Sequence, residues 1–465
     1  MSNNKEYNIT YIFLITLVAT IGGLLFGYDT AVISGTVESL EAFLIVPNGL
    51  GAFALGATVS SALIGCIIGG LLSGILSSRL GRKKSLMVAA VLFLIAALGS
   101  AFPEFPFFTH GQSSMGVLWA FNFYRVIGGI GVGLASAVCP MYIGEIAPAS
   151  IRGRLVSFNQ FAIIFGMLVV YFVNWGIALG ETPDWVHSIG WRYMFLSGAI
   201  PSALFGILLF FVPETPRYLS LVHQDVKALN VLEKINVTKE RATAILKEIQ
   251  ESLGESVKSK LTAYGIGVIV IGILISVFQQ FVGINVALYY APEIFKSMGS
   301  GRDSAMLQTI VMGLINVIFT VVAIITVDKW GRKPLLITGS IGMAVGMFAI
   351  ATLAFQQIIG MWTLVFIIIY TASFMMSWGP ICWVLISEIF PNKIRGQAVA
   401  IAVAAQWAAN YLISSTFPAM REFSTPMTYG FYGTMAILSA IFVWKWVPET
   451  KGKTLEEMEK LWKKS

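Results

Sequence analysis

Long apolar runs alternate with short polar connections along the chain. Each run is close to the roughly 20 residues that cross a bilayer as a helix, with some tilt. Strands of a membrane barrel would instead give alternating segments of about ten residues. The pattern therefore predicts an all-α polytopic membrane protein with twelve transmembrane helices. The runs lie at residues 10–34, 52–77, 85–102, 116–142, 155–178, 192–212, 264–295, 305–327, 335–356, 362–389, 397–418 and 429–447.

One polar stretch, residues 213–262, separates the sixth run from the seventh. It is rich in Lys and Glu, and its apolar positions recur at helical spacing, which is typical of amphipathic helices on a membrane surface. We expect it to join two halves of six helices each. The predicted domains are an N-terminal six-helix bundle at 1–212, a cytoplasmic helical linker at 213–262, a C-terminal six-helix bundle at 263–447 and a cytoplasmic tail at 448–465.

Composition changes this picture little. Of 465 residues, 56% are hydrophobic and 12% are charged, whereas soluble domains have about 25% charged residues. The net charge of +7 would point to nucleic acid in a soluble chain. Here Lys and Arg cluster in alternate loops, the pattern of cytoplasmic loops. We therefore expect both termini and the linker in the cytoplasm, membrane lipid as a partner, and no nucleic acid.

The sequence offers little for catalysis or metal binding. Its three cysteines lie within apolar runs, and its three histidines lie in predicted loops. No Ser/His/Asp or metal-ligand group converges in the predicted spans. We therefore expect no enzyme, no metal and no cofactor.

Three motifs occur once in each half and in the same order. Residues 79–83 (RLGRK) are echoed at 329–333 (KWGRK), and 145–153 (EIxPxxIRG) at 388–396. The triplet PET occurs at 213–215 and at 448–450. Parallel six-helix repeats with a binding site between them are a transporter architecture.

These repeats resemble the signature of the major facilitator superfamily. PETPR at 213–217 and PETKG at 448–452 resemble its sugar porter branch, as do 22–31 (GGLLFGYDTA), 278–285 (FQQFVGIN) and 377–380 (SWGP). The resemblance is strongest to bacterial members that carry xylose with a proton. It implies two pseudo-symmetric six-helix bundles and a monomeric secondary transporter of a bacterial inner membrane. It also implies proton-coupled uptake of a monosaccharide, D-xylose first, by alternating access.

Several amides and aromatic residues lie inside apolar runs. A sugar needs paired donors and acceptors and an apolar wall, which amides and aromatic rings supply. Buried amides also serve as plain contacts between helices, and we assign Asn410 to that role. Gly283 and Gly379-Pro380 are expected to loosen two spans near the site. The resemblance implies that sugar contacts include Gln160, Gln279, Gln280, Asn285, Trp383 and Gln406, an aromatic wall of Phe26, Tyr289 and Trp407, and also Asn316.

Two charges lie well inside predicted spans, Asp29 and Arg125. A lone Asp at a helix centre costs about 2.5–3.5 kcal/mol to insert, so it requires a partner or a function. We interpret Asp29 as the proton carrier and Arg125 as the cation that its protonation releases. The alternative is a static structural pair. The resemblance implies the first role, because facilitative relatives lack an acid at the position of Asp29.

Charged residues also recur at the predicted cytoplasmic ends of helices. Ion pairs there could hold the two halves together in one state, or the cations could simply anchor the topology. The resemblance favours a cytoplasmic gate formed by Glu145, Arg152, Glu388 and Arg395, together with Arg82 and Arg332.

Two positions depart from the pattern of the xylose-carrying members. Met167 replaces a Gln that faces the sugar, and Gly198 replaces an acid in the sixth span. A thioether lacks the donors of an amide, which leaves room for a hexose. The alternatives are thus a hexose–proton symporter, an uncoupled sugar uniporter with a structural Asp29, and a non-transporting sugar sensor.

Overall fold

The computed structural model describes residues 7–148, 150–236, 238–254, 261–297, 299–358, 360–391 and 394–451. In this part of the chain, twelve helices are long and apolar enough to cross a membrane, which confirms the predicted all-α fold. Most of the predicted tail, residues 452–465, lies outside the described residues. Spans 1 to 12 are Ile9–Gly35, Ala52–Leu80, Arg82–Ala101, Met115–Ile146, Arg152–Ala178, Pro183–Leu209, Ile266–Tyr289, Arg302–Val327, Arg332–Phe355, Met361–Ile386, Arg395–Phe423 and Thr425–Trp446.

Several helices extend beyond the apolar runs that predict them. Span 6 begins at Pro183, nine residues before the predicted start at 192. Arg192, at the predicted start, is only 5% exposed. Arg192 Nη1 lies 2.9 Å from Oε2 of Glu104, a residue of the loop after span 3. The paired charge is tolerated at this depth because its hydrogen bonds are satisfied within the protein.

The polar stretch between spans 6 and 7 contains the helices Pro216–Leu221, Asp225–Ile235 and Lys239–Gly254. In the second helix, Leu232 and Ile235 are buried and Val226 is exposed. The backbone N–H of Asn8 donates to the carbonyl of Ile235 at 2.8 Å, which ties the start of span 1 to this stretch. We call this side of the bundle the linker side. The opposite side, reached after spans 1, 5 and 7, is the far side.

Two interrupted spans, 7 and 10, bear on the predicted site. Span 7 consists of helices Ile266–Phe281 and Ile284–Tyr289, separated at Gly283, which has φ of +88°. A Cβ at Gly283 would also lie 2.8 Å from the Tyr432 ring, so glycine is required there by both conformation and space.

The second interruption differs slightly from the prediction. Span 10 is formed by helices Met361–Met375 and Trp378–Ile389, the second of which continues past the end of the span at Ile386. The break thus precedes Trp378, and Gly379-Pro380 belongs to the first turn of the new helix. Proline is tolerated in that turn because its missing N–H would have no helical partner.

Candidate functional site

Four amide side chains of the C-terminal half form one hydrogen-bonded chain. Gln406 on span 11 donates to Oε1 of Gln279 on span 7. Gln280 Nε2 donates to the same oxygen at 3.0 Å, and Asn285 Nδ2 donates to Gln280 Oε1 at 2.5 Å. The structure therefore brings together four of the predicted sugar contacts, from both sides of the break at Gly283.

At its Gln279 end, this row of hydrogen-bonded amides is anchored to the break in span 10. Gln279 Nε2 donates to the backbone carbonyls of Trp378 at 3.1 Å and Gly379 at 3.4 Å. The Trp378 indole N–H donates to Ser340 Oγ at 2.7 Å. Trp378 was not among the predicted site residues, although it lies within the SWGP motif. Its role is to fix the broken span that positions Gln279.

Aromatic residues link the two halves beside the amides. The Phe26 and Trp407 rings lie 5.7 Å apart between centroids and join span 1 to span 11. Tyr289 is buried, and its hydroxyl accepts a hydrogen bond from Asn410 at 3.4 Å. Asn410 also accepts from Ser414 at 3.0 Å. These contacts agree with the interpretation of Asn410 as a packing residue.

Three buried polar atoms in this region have no hydrogen-bond partner among the described residues: Gln406 Oε1, Asn316 Oδ1 and Trp407 Nε1. An unpaired buried polar group costs about 1–3 kcal/mol, so each is a candidate contact for a polar ligand. Gln160 and Trp383 are half-buried on spans 5 and 10, and no hydrogen bond joins them to the amide chain in the described structure.

The intramembrane charges form a pair between spans 1 and 4. Arg125 Nη1 lies 3.0 Å from Asp29 Oδ1, and Nη2 donates to the Asp29 carbonyl at 3.1 Å. Arg125 is 1% exposed. Asp29 Oδ2 is buried without a partner among the described residues, so only one of the two carboxylate oxygens is paired with Arg125.

The two departures from the family pattern occupy different places. Gly198 lines a cavity of about 10 Å³ together with Asp29 and Phe195. A Cβ at Gly198 would meet the carbonyl oxygen of Phe195 at 3.3 Å. Met167 is 8% exposed on span 5 and lies beside Gly27 of span 1. Both departures lie in the N-terminal half; Gly198 borders the charge pair, whereas Met167 packs against span 1.

Four of the six predicted gate residues form ion pairs within their own half in this conformation. Arg82 Nη2 lies 2.7 Å from Glu145 Oε1, and Arg332 Nη2 lies 2.9 Å from Glu388 Oε1. In both halves the same carboxylate also accepts from a threonine of the PET motif at 2.6 Å, Thr215 or Thr450.

The other two predicted gate residues, Arg152 and Arg395, differ in their surroundings. Arg395 donates to the carbonyl of Phe390 at 3.3 Å, and Arg152 is exposed.

The structure explains the glycine in each copy of the repeated motif, RLGRK at 79–83 and KWGRK at 329–333. Gly81 and Gly331 both have φ of +92°. A Cβ would lie 2.3 Å from Glu214 Oε2 at Gly81 and 2.8 Å from Glu449 Oε2 at Gly331. The motif and the PET triplet are therefore one unit in which the Glu approaches the start of span 3 or span 9.

Comparison with known proteins agrees with this architecture. Residues 15–462 match the sequence profile of the family described as sugar (and other) transporter. The chain is 56% identical to the D-xylose-proton symporter of Escherichia coli (strain K12), over 99% of this chain and 97% of that one. It is 40% identical to the glucose transport protein of Synechocystis, over 97% of each.

A solved structure extends the likeness to three dimensions. The inward-open xylose transporter of Escherichia coli matches with a TM-score of 0.88 at 55% identity, over 97% of this chain and 100% of that one. The family is one of membrane transporters and not of enzymes. The chain belongs to the sugar transporter family of the major facilitator superfamily.

Proposed function

We propose that this protein takes up D-xylose together with a proton by alternating access in a bacterial inner membrane. The carrying observation is the Asp29–Arg125 pair, buried between spans 1 and 4. The 56% identity to the D-xylose-proton symporter of Escherichia coli supports the substrate and the coupling.

The amide chain of Gln279, Gln280, Asn285 and Gln406 would bind the sugar. Its members fix one another's orientation, which reduces the entropy lost when a ligand binds. The free Gln406 oxygen and Trp407 N–H offer an acceptor and a donor to hydroxyl groups. Phe26, Tyr289 and Trp407 supply the apolar wall. We assign Gln160, Trp383 and Asn316 to the same site, with contacts that form around the bound sugar.

Asp29 would carry the proton on its free Oδ2. Protonation removes the negative charge that holds Arg125, and a buried cation without its partner is strongly destabilised. The pair must then rearrange, which moves span 1 relative to span 4. Phe26 and Asp29 are both on span 1, so this movement reaches the wall of the proposed sugar site directly.

The linker side would face the cytoplasm, with both termini, because the Lys and Arg clusters lie there. We propose a functional monomer, since each chain carries both halves. We also keep the domain limits at 1–212, 213–262, 263–447 and 448–465 as proposals.

A hexose–proton symporter is the second candidate. Met167 on span 5 favours it, because a thioether cannot pair with a sugar hydroxyl as an amide does. The glucose transport protein of Synechocystis, 40% identical to this chain, supports a hexose within the same family.

The experiment is uptake of labelled xylose and glucose into proteoliposomes with and without an inward proton gradient. We expect xylose to exceed equilibrium only with the gradient. Asp29→Asn should abolish accumulation and retain gradient-free exchange. Asp184→Asn, at an exposed carboxylate in the first turn of span 6, is the matched control and should behave as wild type. Accumulation by the Asp29→Asn protein would refute the coupling role, and preference for glucose would establish the second candidate.

A further inference from the structure

The far side of the molecule carries an ion pair between the two halves. Lys296 of the C-terminal half contacts the carboxylate of Glu38 in the N-terminal half. Glu38 also lies 3.6 Å from His187 Nε2 at the start of span 6, and Lys296 lies 3.6 Å from Glu293 on its own helix. We call Glu38, His187, Glu293 and Lys296 the far-side cluster.

A second contact crosses the halves on the same side. Arg302, the first residue of span 8, donates through Nη2 to the carbonyl of Ala178 at 3.4 Å and to the carbonyl of Glu181. Ala178 is the last residue of the span 5 helix. A cation is favourable at a helix C-terminus, where unpaired carbonyls concentrate negative charge. Both contacts therefore join a cation of the C-terminal half to oxygens of the N-terminal half.

The linker-side pairs have the opposite arrangement. Arg82–Glu145 and Arg332–Glu388 each lie within one half, so neither resists separation of the halves on that side. The similarity to an inward-open transporter structure fits a molecule closed on the far side.

We propose that Lys296 and Glu38 hold the far side closed and thereby set the ratio of the two open conformations during transport. The proposal rests on the alternating-access function proposed above. Lys296 acts as the bridge, because it lies between the carboxylates of Glu38 and Glu293, one from each half. Without the lysine these two negative charges would face each other and repel the halves.

The surrounding charges define the electrostatic setting. Burial raises the pKa of Glu293, and the negative charges of Glu38 and Glu41 raise it further. The positive charges of Lys296 and Arg421 act in the opposite direction, but the pKa of Glu293 remains above its ordinary value. Burial also acts to raise the pKa of Glu38, but Lys296 and His187 outweigh it and hold that pKa below its ordinary value. Glu38 therefore stays ionised at neutral pH and remains paired with the lysine.

The test measures the distance between the two halves on the far side, and it does not require a transport assay. Spin labels at Phe107→Cys and Phe355→Cys report the separation of the halves, since these residues are 86% and 79% exposed. The three native cysteines are buried and stay unlabelled. We expect Lys296→Met to raise the ratio of long to short distances about fivefold, the effect of losing a pair within a partly exposed network.

Three further variants make the result specific. Lys296→Arg keeps the charge and should keep the wild-type distances. Adding Glu293→Gln to Lys296→Met removes the repulsion and should partly restore the short distance. Lys239→Met removes an ordinary exposed pair with Glu233 in the linker and should change nothing.

An unchanged distance in Lys296→Met would overturn the proposal, and so would an equal change in Lys239→Met. Wild-type uptake, measured separately, decides the proposed transport function. A protein that transports xylose but shows no distance change therefore loses only the far-side inference.

Discussion

Two buried tryptophans of the C-terminal half differ in whether the indole N–H is hydrogen-bonded. Trp378 is fully buried, and its indole N–H donates to Ser340 and to the Leu336 carbonyl. Trp407 is 5% exposed, and its N–H has no partner in the described part of the chain. A buried donor that is left free costs stability unless a ligand uses it. We therefore assign Trp378 a structural role and propose that the free N–H of Trp407 contacts the sugar.

Exchanging each indole for a phenyl ring should separate these roles. Trp407→Phe should weaken sugar binding by roughly threefold to tenfold, the effect of one hydrogen bond, with little loss of stability. Trp378→Phe leaves the Ser340 hydroxyl short of a partner, so it should lower the melting temperature before it affects affinity. Calorimetric titration with xylose and thermal unfolding in detergent measure the two effects. Equal losses of affinity in both variants would contradict the assignment.

At the residue scale, ion pairs were predictable from the sequence inside the apolar runs, where charged residues are rare. Asp29 and Arg125 could be paired from the sequence because each is alone within a long apolar run, and burial then demands a partner. Arg192 is the first residue of the predicted run 192–212, and its partner Glu104 lies in a loop that hydropathy cannot position. The order of hydrogen bonds among Gln279, Gln280 and Gln406 depends on helix rotation, which the sequence pattern does not determine.

At the scale of elements, the PET glutamates act on the starts of two equivalent helices. Glu214 accepts from the backbone N–H groups of Arg82 and Lys83 at the start of span 3. Glu449 does the same for Arg332 and Lys333 at span 9. A carboxylate is favourable there because the first N–H groups of a helix lack partners and carry partial positive charge.

The pKa values of these two carboxyls are nevertheless shifted in opposite directions. Burial raises the pKa of Glu214 more than its hydrogen bonds lower it. Glu449 is also affected by burial, but N–H donors from Lys451, Lys333 and Arg332 outweigh it and lower its pKa below the ordinary 4.5. The charged form of Glu449 therefore stabilises the fold above about pH 4.5, and this contribution is lost as pH falls through its lowered pKa. For Glu214 the protonated form is favoured by folding, and that contribution is lost as pH rises through its raised pKa.

Amide substitutions should reveal this asymmetry. Glu449→Gln should lower the melting temperature at pH 7, and the difference from wild type should shrink at about pH 4. Glu214→Gln should be neutral or stabilising at pH 7, because the amide avoids the cost of burying a charge. Thermal unfolding of the detergent-solubilised protein at both pH values measures the effect. The same sign in both variants at pH 7 would show that the repeated triplets are equivalent.

The helices themselves were largely predictable, because continuous apolar runs leave few alternatives in a bilayer. Their ends were less so. Span 4 continues to Ile146, beyond the predicted 142, since a helix keeps its hydrogen bonds after the apolar run ends. The break before Trp378 could be located only near Gly379-Pro380, because proline is compatible with either side of a helix start.

For the whole molecule, the polar contacts described above join the two halves on the far side and stay within each half on the linker side. On the far side they cross between halves, at Lys296–Glu38 and at Arg302. On the linker side Arg82–Glu145 and Arg332–Glu388 stay within halves. The repeated motifs predicted two equivalent bundles, but no repeat marks Lys296 or Glu38. Contacts that depend on the conformation adopted are not encoded in a pattern shared by both halves.

Alternating access makes the two sides compete, so their effects should oppose each other. Lys296→Met should favour the state that is open on the far side and closed on the linker side. In that state we expect Glu145 and Glu388 to form contacts between the halves, with Arg152 and Arg395 as the predicted partners. Adding Glu145→Gln and Glu388→Gln should then return the population toward the far-side-closed state, since each side contributes to one equilibrium.

Spin labels at Phe211→Cys and Trp446→Cys, exposed at the linker-side ends of spans 6 and 12, measure the linker-side separation. Lys296→Met should shorten this distance, and the added amide substitutions should lengthen it again. In a protein that retains Lys296, Glu145→Gln and Glu388→Gln should change the linker-side distance little, because both glutamates then pair within their own half. A triple variant indistinguishable from Lys296→Met would limit Glu145 and Glu388 to holding each half together, and the cytoplasmic gate would have to be sought in other residues.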